Sequence, residues 1–155
     1  MNWEPKEGML LRWGWINRCN MAVIAYLILM NVLAVLKGLS DRFESQYGIV
    51  NILEQIGRYG CMVLMVLPIG VEGWKFGFGS VAEMLIWGCI TILLLTIYTV
   101  LWSKKGNGSV NVLYGLAIVS AALFLLNGIL LRHAVLVIAS FIFGSFHFAI
   151  VKENV

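Results

Sequence analysis

The chain has 155 residues, of which 61% are hydrophobic and 12% charged, and its formal net charge is +3. The charged share is about half that of a typical soluble domain, so soluble globular packing is excluded. The basic residues are scattered along the chain, which argues against nucleic-acid binding and against a polybasic lipid switch. The length suits a single integral membrane domain, 1–155.

Five apolar segments make up most of this sequence. A helix needs about 20 apolar residues to cross a hydrocarbon core of roughly 30 Å, and in lipid its backbone polar groups must bond within the helix. The sequence therefore predicts an all-α fold, a polytopic transmembrane helix bundle. The five predicted spans are 20–36, 52–71, 81–102, 110–131 and 134–151.

The first twenty residues alternate polar and aromatic side chains ahead of the first span. Trp3, Trp13 and Trp15 lie near Arg12 and Arg18 in the sequence. Tryptophan favours the headgroup level because its ring is apolar and its N–H is polar. This pattern predicts an interfacial N-terminal segment.

The second span differs from the others in length. Its uncharged run, 59–71, is too short to cross the membrane at about 1.5 Å per residue. Either the helix begins before Tyr59 and carries Glu54 and Arg58 with it, or it fails to cross and four spans remain. We expect the first alternative. Pro68 is expected to kink the last turns of this helix.

An amphipathic segment precedes this run. Its apolar residues recur with the period of a helix, at Ile49, Ile52, Leu53 and Ile56. The pattern predicts a segment that lies on the membrane and then enters it.

Two local patterns define the later helices. Ser80 followed by Glu83 is a capping box, which predicts the start of the third span. Only Arg132 and His133 separate the fourth span from the fifth, which predicts a very tight hairpin. A break at 127–128, an Asn-Gly pair, is the alternative.

Few polar side chains occur at membrane depth, where a charge costs a few kcal/mol. Glu54 and Arg58 are four residues apart in the order that favours a helical ion pair. With five alternating spans, the start of the second and the end of the fifth lie on one face. We therefore predict a polar cluster of Glu54, Arg58, His147 and Asn31 at that mouth of the bundle.

The sequence contains no recognisable catalytic or metal-binding constellation. His147 has no second His or Glu at the spacing of a zinc site. Cys19, Cys61 and Cys89 lie in or beside apolar runs without a CxxC pair, which is typical of core thiols. We therefore predict no catalytic residue, no cofactor and no metal.

Small residues recur at four-residue spacing on the last two spans, at Ala117 and Ala121 and at Ser140 and Gly144. Such seams let helices approach closely. They predict either packing within the chain or contact with another membrane protein or a second copy.

Two stretches resemble a group of small multi-helix membrane proteins of low-GC Gram-positive gut bacteria. They run from Gly57-Arg58-Tyr59-Gly60-Cys61 to Pro68 and from Leu131-Arg132-His133 through Phe146-His147-Phe148 to Asn154. The resemblance implies a bacterial cell membrane and a multi-span fold, and it places Arg58 and His147 at motif positions. It implies no activity.

Three functions remain open. The first is a non-enzymatic accessory, interaction or immunity-type module of the membrane. The second is a homo-oligomeric transporter or channel for ions or small solutes, although the sequence shows no internal repeat. The third, an intramembrane enzyme acting on a lipid-soluble substrate, lacks a recognisable nucleophile. Lys104 and Lys105, in a tight turn without opposing acids, favour a cytoplasmic location for their face.

Overall fold

A computed structural model describes residues 11–13, 18–38, 43–67, 69–71, 77–107 and 109–155. Its helices are α1 (Arg18–Leu36), α2 (Gly48–Val66), α3 (Val81–Lys104), α4 (Val110–Leu130) and α5 (Ala134–Glu153). Each of the five is long and apolar enough to cross a membrane. The protein is an all-α polytopic bundle, as the sequence predicts, and the four-span alternative is wrong.

The bounds of α2 resolve the problem of the short second span. The helix begins at Gly48, so Glu54 and Arg58 both lie within it. It ends at Val66, earlier than the predicted 52–71. Pro68, where a kink is predicted, lies outside the described residues.

The predicted amphipathic segment is the first part of α2 itself and does not form a separate surface helix. Ile49, Ile52 and Ile56 are exposed on one face, whereas Glu54 and Gly57 are buried on the other. On a membrane-spanning helix, the exposed apolar face contacts lipid and polar groups face inward. The helical period was correctly recognised, and it continues without a break into the rest of α2.

A short antiparallel sheet joins two connecting segments. Its strands are β1 (Leu11–Trp13) and β2 (Ile69–Val71), and Leu11 lies opposite Val71. Sequence patterns did not predict these strands. The remainder of the predicted interfacial segment, 1–10 and 14–17, lies outside the described residues.

The helices form a ring in the spatial order α1, α2, α5, α4, α3. The hydroxyl groups of Tyr26 on α1 and Thr99 on α3 share a hydrogen bond that closes the ring. Packing is most extensive between α4 and α5, much sparser between α1 and α2, and sparsest between α1 and α3. The sparse α1–α2 contact bears on access to the interior.

The small-residue seams are engaged in packing within the chain: Ala121 and Gly144 bring α4 and α5 together, whereas the hydroxyl of Ser140 lies 3.7 Å from Sγ of Cys61 on α2. Ala117 and Ser140 are buried, and a Cβ atom placed on Gly144 would lie 3.1 Å from the Cβ of Ala121. These side chains are therefore engaged within the chain, and a partner protein would need another surface.

The predicted hairpin between α4 and α5 is present. Arg132 takes a left-handed conformation (φ 55°), which reverses the chain between the two helices. Asn127 and Gly128 are buried inside α4, so the alternative break at 127–128 is wrong. At the start of α3, Ser80 Oγ accepts a bond from Glu83 N, and the Glu83 carboxylate accepts one from Gly79 N. The capping box thus reaches one residue further back than the standard pattern.

Candidate functional site

A cavity of about 1110 Å³ lies inside the ring, at the end where α1, α3 and α5 finish and α2 and α4 begin. All five helices contribute to its walls, which are largely apolar. Typical ligand pockets have volumes of roughly 300–1,000 Å³, so this space is large enough for a small organic molecule. Its main apolar lining residues are Leu27, Met62, Leu113, Leu116, Phe124 and Ile150.

Three of the four predicted site residues meet on one wall of the cavity. Oε1 of Glu54 accepts hydrogen bonds from Nε (3.0 Å) and Nη2 of Arg58 and from Nδ1 of His147 (2.9 Å). Since a carboxylate only accepts, Nδ1 of His147 carries the proton of this bond. The Glu54 side chain is 3% exposed, against 36% for Arg58 and 22% for His147. The acid is therefore buried beneath two side chains that face the cavity.

Gly57 fixes how closely the two helices of this cluster approach. A Cβ atom at this position would lie 2.8 Å from the backbone nitrogen of Phe143 and 2.9 Å from its Cα, closer than real side chains allow. The absence of a side chain lets α2 and α5 come together, which brings His147 within hydrogen-bonding distance of Glu54. Sequence reasoning missed this role, although a glycine inside a helix, which costs about 0.5–1 kcal/mol, is a usable signal.

The ring of Phe143 packs against two side chains of this cluster. Its ring stacks on His147 with centroids 4.8 Å apart, and Cζ of Arg58 lies 6.0 Å from its centroid. Phe124 of α4 contacts the same ring edge-on at 5.4 Å. Aromatic packing thus holds both nitrogen-bearing side chains in position. Phe143 is a second positioning residue that the sequence did not reveal.

Asn31, the fourth predicted residue, lines the same cavity from α1. Its Nδ2 donates to the carbonyl oxygen of Leu27 at 2.7 Å, one turn back on its own helix. Within the described part of the chain, no hydrogen bond joins it to Glu54, Arg58 or His147. The structure therefore places Asn31 at the cavity but outside the bonded cluster.

The end of α3 adds an aromatic and basic wall that was not predicted as part of the site. Tyr98 and Trp102 both line the cavity and contact each other edge-on, with centroids 6.1 Å apart. Nζ of Lys105 lies 4.5 Å from the Trp102 ring centroid, a cation–π contact at the mouth. The usable signal in the sequence is an aromatic residue followed by basic residues, from Trp102 to Lys105, at the end of a span.

The opposite end of the bundle is filled by paired polar groups. Nε1 of Trp87 donates to Oδ1 of Asn127 at 2.6 Å, between α3 and α4. Nδ2 of Asn20 on α1 donates to the carbonyl oxygen of Met65 on α2 at 3.1 Å. Arg132 and Glu83 form an ion pair at 2.8 Å.

His133 completes this opposite end. Its Nε2 accepts a hydrogen bond from the backbone N–H of Ile69 at 2.8 Å, which ties β2 to the hairpin between α4 and α5. Burial lowers the pKa of His133 below its ordinary value of 6.5. A ring nitrogen that accepts a bond carries no proton, so neutral His133 is the form that fits this position.

These features define the class, a polytopic helical membrane protein with an internal cavity open at one end and a charged cluster on the cavity wall. No protein-family model, no curated protein and no solved structure matches the chain. Across the described residues, no group of three or more His, Cys, Asp or Glu side chains is placed to hold a metal ion. The functional argument rests on the cavity and its charges.

Proposed function

We propose that this protein is a non-enzymatic membrane module that binds a small molecule in the cavity and acts as an accessory subunit to another membrane protein. The observation that carries the proposal is the Glu54, Arg58 and His147 cluster on the wall of a cavity built by all five helices. Charged side chains inside a bundle are costly and most often mark a ligand or ion site. Here they are combined with apolar walls, which suits a molecule with one polar part.

The accessory role is supported by the chemistry of the cavity. The charged groups on its polar wall, Glu54, Arg58 and His147, are bonded to one another and not to a hydroxyl or thiol that they would activate as a nucleophile. A bacterial cell membrane is part of the proposal because of the resemblance described above. If the Lys104 and Lys105 face is cytoplasmic, the cavity opens on the cytoplasmic side.

A homo-oligomeric transporter or channel is the alternative, favoured by one observation, that polar groups at membrane depth face a cavity open at one end. A single chain already builds that cavity, however, and paired groups such as Trp87 and Asn127 fill the opposite end. A transport path would require those pairs to separate. Uptake of labelled solutes into proteoliposomes would support this alternative over the accessory role.

Native mass spectrometry after mild-detergent purification tests the proposed function. We expect the wild-type chain to carry a small molecule that the Ser120→Phe variant has lost, because Ser120 lines the cavity and a phenylalanine there would fill it. Ile118→Phe is the matched control, since Ile118 lies on the same helix but is exposed on its outer face. Equal occupancy of the wild type and the Ser120→Phe variant would contradict binding in the cavity.

Partner identification uses the same preparation. We expect another membrane protein to co-purify with the wild type at a fixed ratio. A stable homo-oligomer without a second protein would contradict the accessory role and favour the transporter.

A further inference from the structure

The cavity has a side opening between α1 and α2 as well as its opening at the membrane face. Ile28, Val32 and Val35 on α1 and Gln55 and Tyr59 on α2 all line it. Yet Val35 and Tyr59 are each 61% exposed, which an enclosed wall would not allow. Because α1 and α2 are also packed far more sparsely than α2 and α5, a gap between them faces the surrounding lipid.

Inside this gap, Arg58 presents unused hydrogen-bonding capacity. A guanidinium group has five N–H donors, and Glu54 receives two of them, from Nε and Nη2. The other three have no acceptor among the described residues, and the side chain is 36% exposed toward the cavity. The Glu54 side chain is only 3% exposed, so the charged group that a ligand can reach is the cation. A planar guanidinium matches a carboxylate or phosphate with two parallel bonds.

The walls beyond Arg58 suit an apolar chain. Leu27 of α1, Met62 of α2, and Leu116 and Phe124 of α4 line the same cavity as the guanidinium. A molecule that enters from lipid through the side gap already carries such a chain. Lys105, at the mouth, adds positive charge on the far wall, and Glu44 is the acid at that opening.

We propose that the cavity takes a single-chain amphiphile with one acidic head group, which enters between α1 and α2 and binds Arg58 through its head. This inference rests on the proposed function and names the chemical class of its ligand. Carboxylate and phosphate heads share the chemistry that the guanidinium recognises.

The test measures thermal unfolding of the purified full chain in a neutral detergent with added probes. We expect hexadecanoate and hexadecanoyl lysophosphatidate to raise the unfolding temperature with increasing concentration, since a ligand of the folded state stabilises it. Hexadecanol and hexadecyltrimethylammonium should not, because they lack the acidic head. Butyrate, an acid with a short chain, should not either. The stronger of the two acidic probes identifies the head group as carboxylate or phosphate.

Variants assign the binding to Arg58. The R58Q variant should bind the acidic probe about tenfold more weakly or worse, because charge-assisted bonds are lost. R58K should be intermediate, since it keeps the charge without the planar fork. If R58Q fails to fold because Glu54 is left underpaired, the double variant E54Q/R58Q removes both charges and should fold without binding. K152Q is the matched control, a basic residue at the same end and outside the cavity lining, and should bind like the wild type.

Two outcomes would overturn the inference while leaving the proposed function intact. One is equal stabilisation by the neutral or cationic probe, and the other is unchanged acid binding by E54Q/R58Q. An empty cavity in native mass spectra, together with no stabilisation by any probe, would instead remove the proposed function itself.

Discussion

The two ends of the bundle treat buried polar groups in opposite ways. At the closed end, Trp87 donates a hydrogen bond to Asn127, and His133 accepts one from the backbone N–H of Ile69. The polar groups there are therefore bonded directly to one another. At the open end, Glu54 is buried and bonded to Arg58 and His147, whereas Arg58 keeps unused donors beside the cavity. Polar groups at the closed end hold helices together, whereas those at the open end are the ones we propose for ligand binding.

The largest expected effect comes from forcing the two helices of the open end apart. Gly57→Ala should destabilise the protein by about 1–3 kcal/mol, because overpacking against the Phe143 backbone exceeds the gain in helix propensity. Gly60→Ala, on the same helix, has nothing within 4 Å of the new Cβ and should stabilise by about 0.5–1 kcal/mol. Unfolding in mixed detergent and SDS micelles measures both. Equal effects at the two glycines would contradict a close contact specific to position 57.

A smaller difference in the free energy of unfolding should separate variants of two asparagines, each of which donates a hydrogen bond to a carbonyl one turn back. Asn127→Leu at the closed end leaves the buried Trp87 N–H without its acceptor and should cost about 1–3 kcal/mol. Asn31→Leu at the open end removes a bond to a carbonyl of its own helix beside the cavity, so a change of about 0.5 kcal/mol or less is expected. The same micelle titration compares them. A cost at Asn31 as large as that at Asn127 would show that both ends depend on polar pairing for stability.

The smallest effect is a pH dependence of the closed end. Because burial lowers the pKa of His133 in the folded state, the unfolded chain binds more protons below the ordinary value of 6.5. Above that pH His133 is neutral in both states and does not reduce the free energy of unfolding. As the pH decreases through the lowered pKa of the folded state, the free energy of unfolding falls. Thermal unfolding across about pH 5–8 measures the slope. His133→Gln, which cannot titrate, should be flatter than the wild type, and an identical slope would exclude His133 as its source.

Much of the fold follows from the sequence because its solvent is lipid. Length and hydropathy predict five spans, and the shortness of the run 59–71 correctly requires that Glu54 and Arg58 lie inside α2. Alternating direction then places His147 at the same end. The pattern at the start of α2 has two meanings, because an apolar face can lie on a membrane surface or face lipid within the membrane.

The remaining features of the structure depend on contacts between segments far apart in the sequence. No repeating pattern in a single sequence reveals such contacts. The approach of Gly57 to Phe143, the Trp87–Asn127 bond and the cavity all arise from how helices pack side by side. Helical spacing defines which residues share a face of one helix, whereas a cavity requires knowing which faces meet. The sequence thus predicted that Glu54, Arg58 and His147 lie near one another at one end of the bundle. It did not predict that they lie on the wall of a ligand-sized cavity.

The inward polar face of α2 also has a consequence for how the chain enters the membrane during synthesis. Its mean hydropathy of 1.3 is the lowest of the five spans, the others lying between 2.1 and 2.3. Because Glu54 and Arg58 are neighbours on one helical face, they can neutralise each other before any later span is made. His147, on the final helix, arrives last. The helix can therefore insert early with its own internal counterion, while the complete cluster exists only in a fully translated chain.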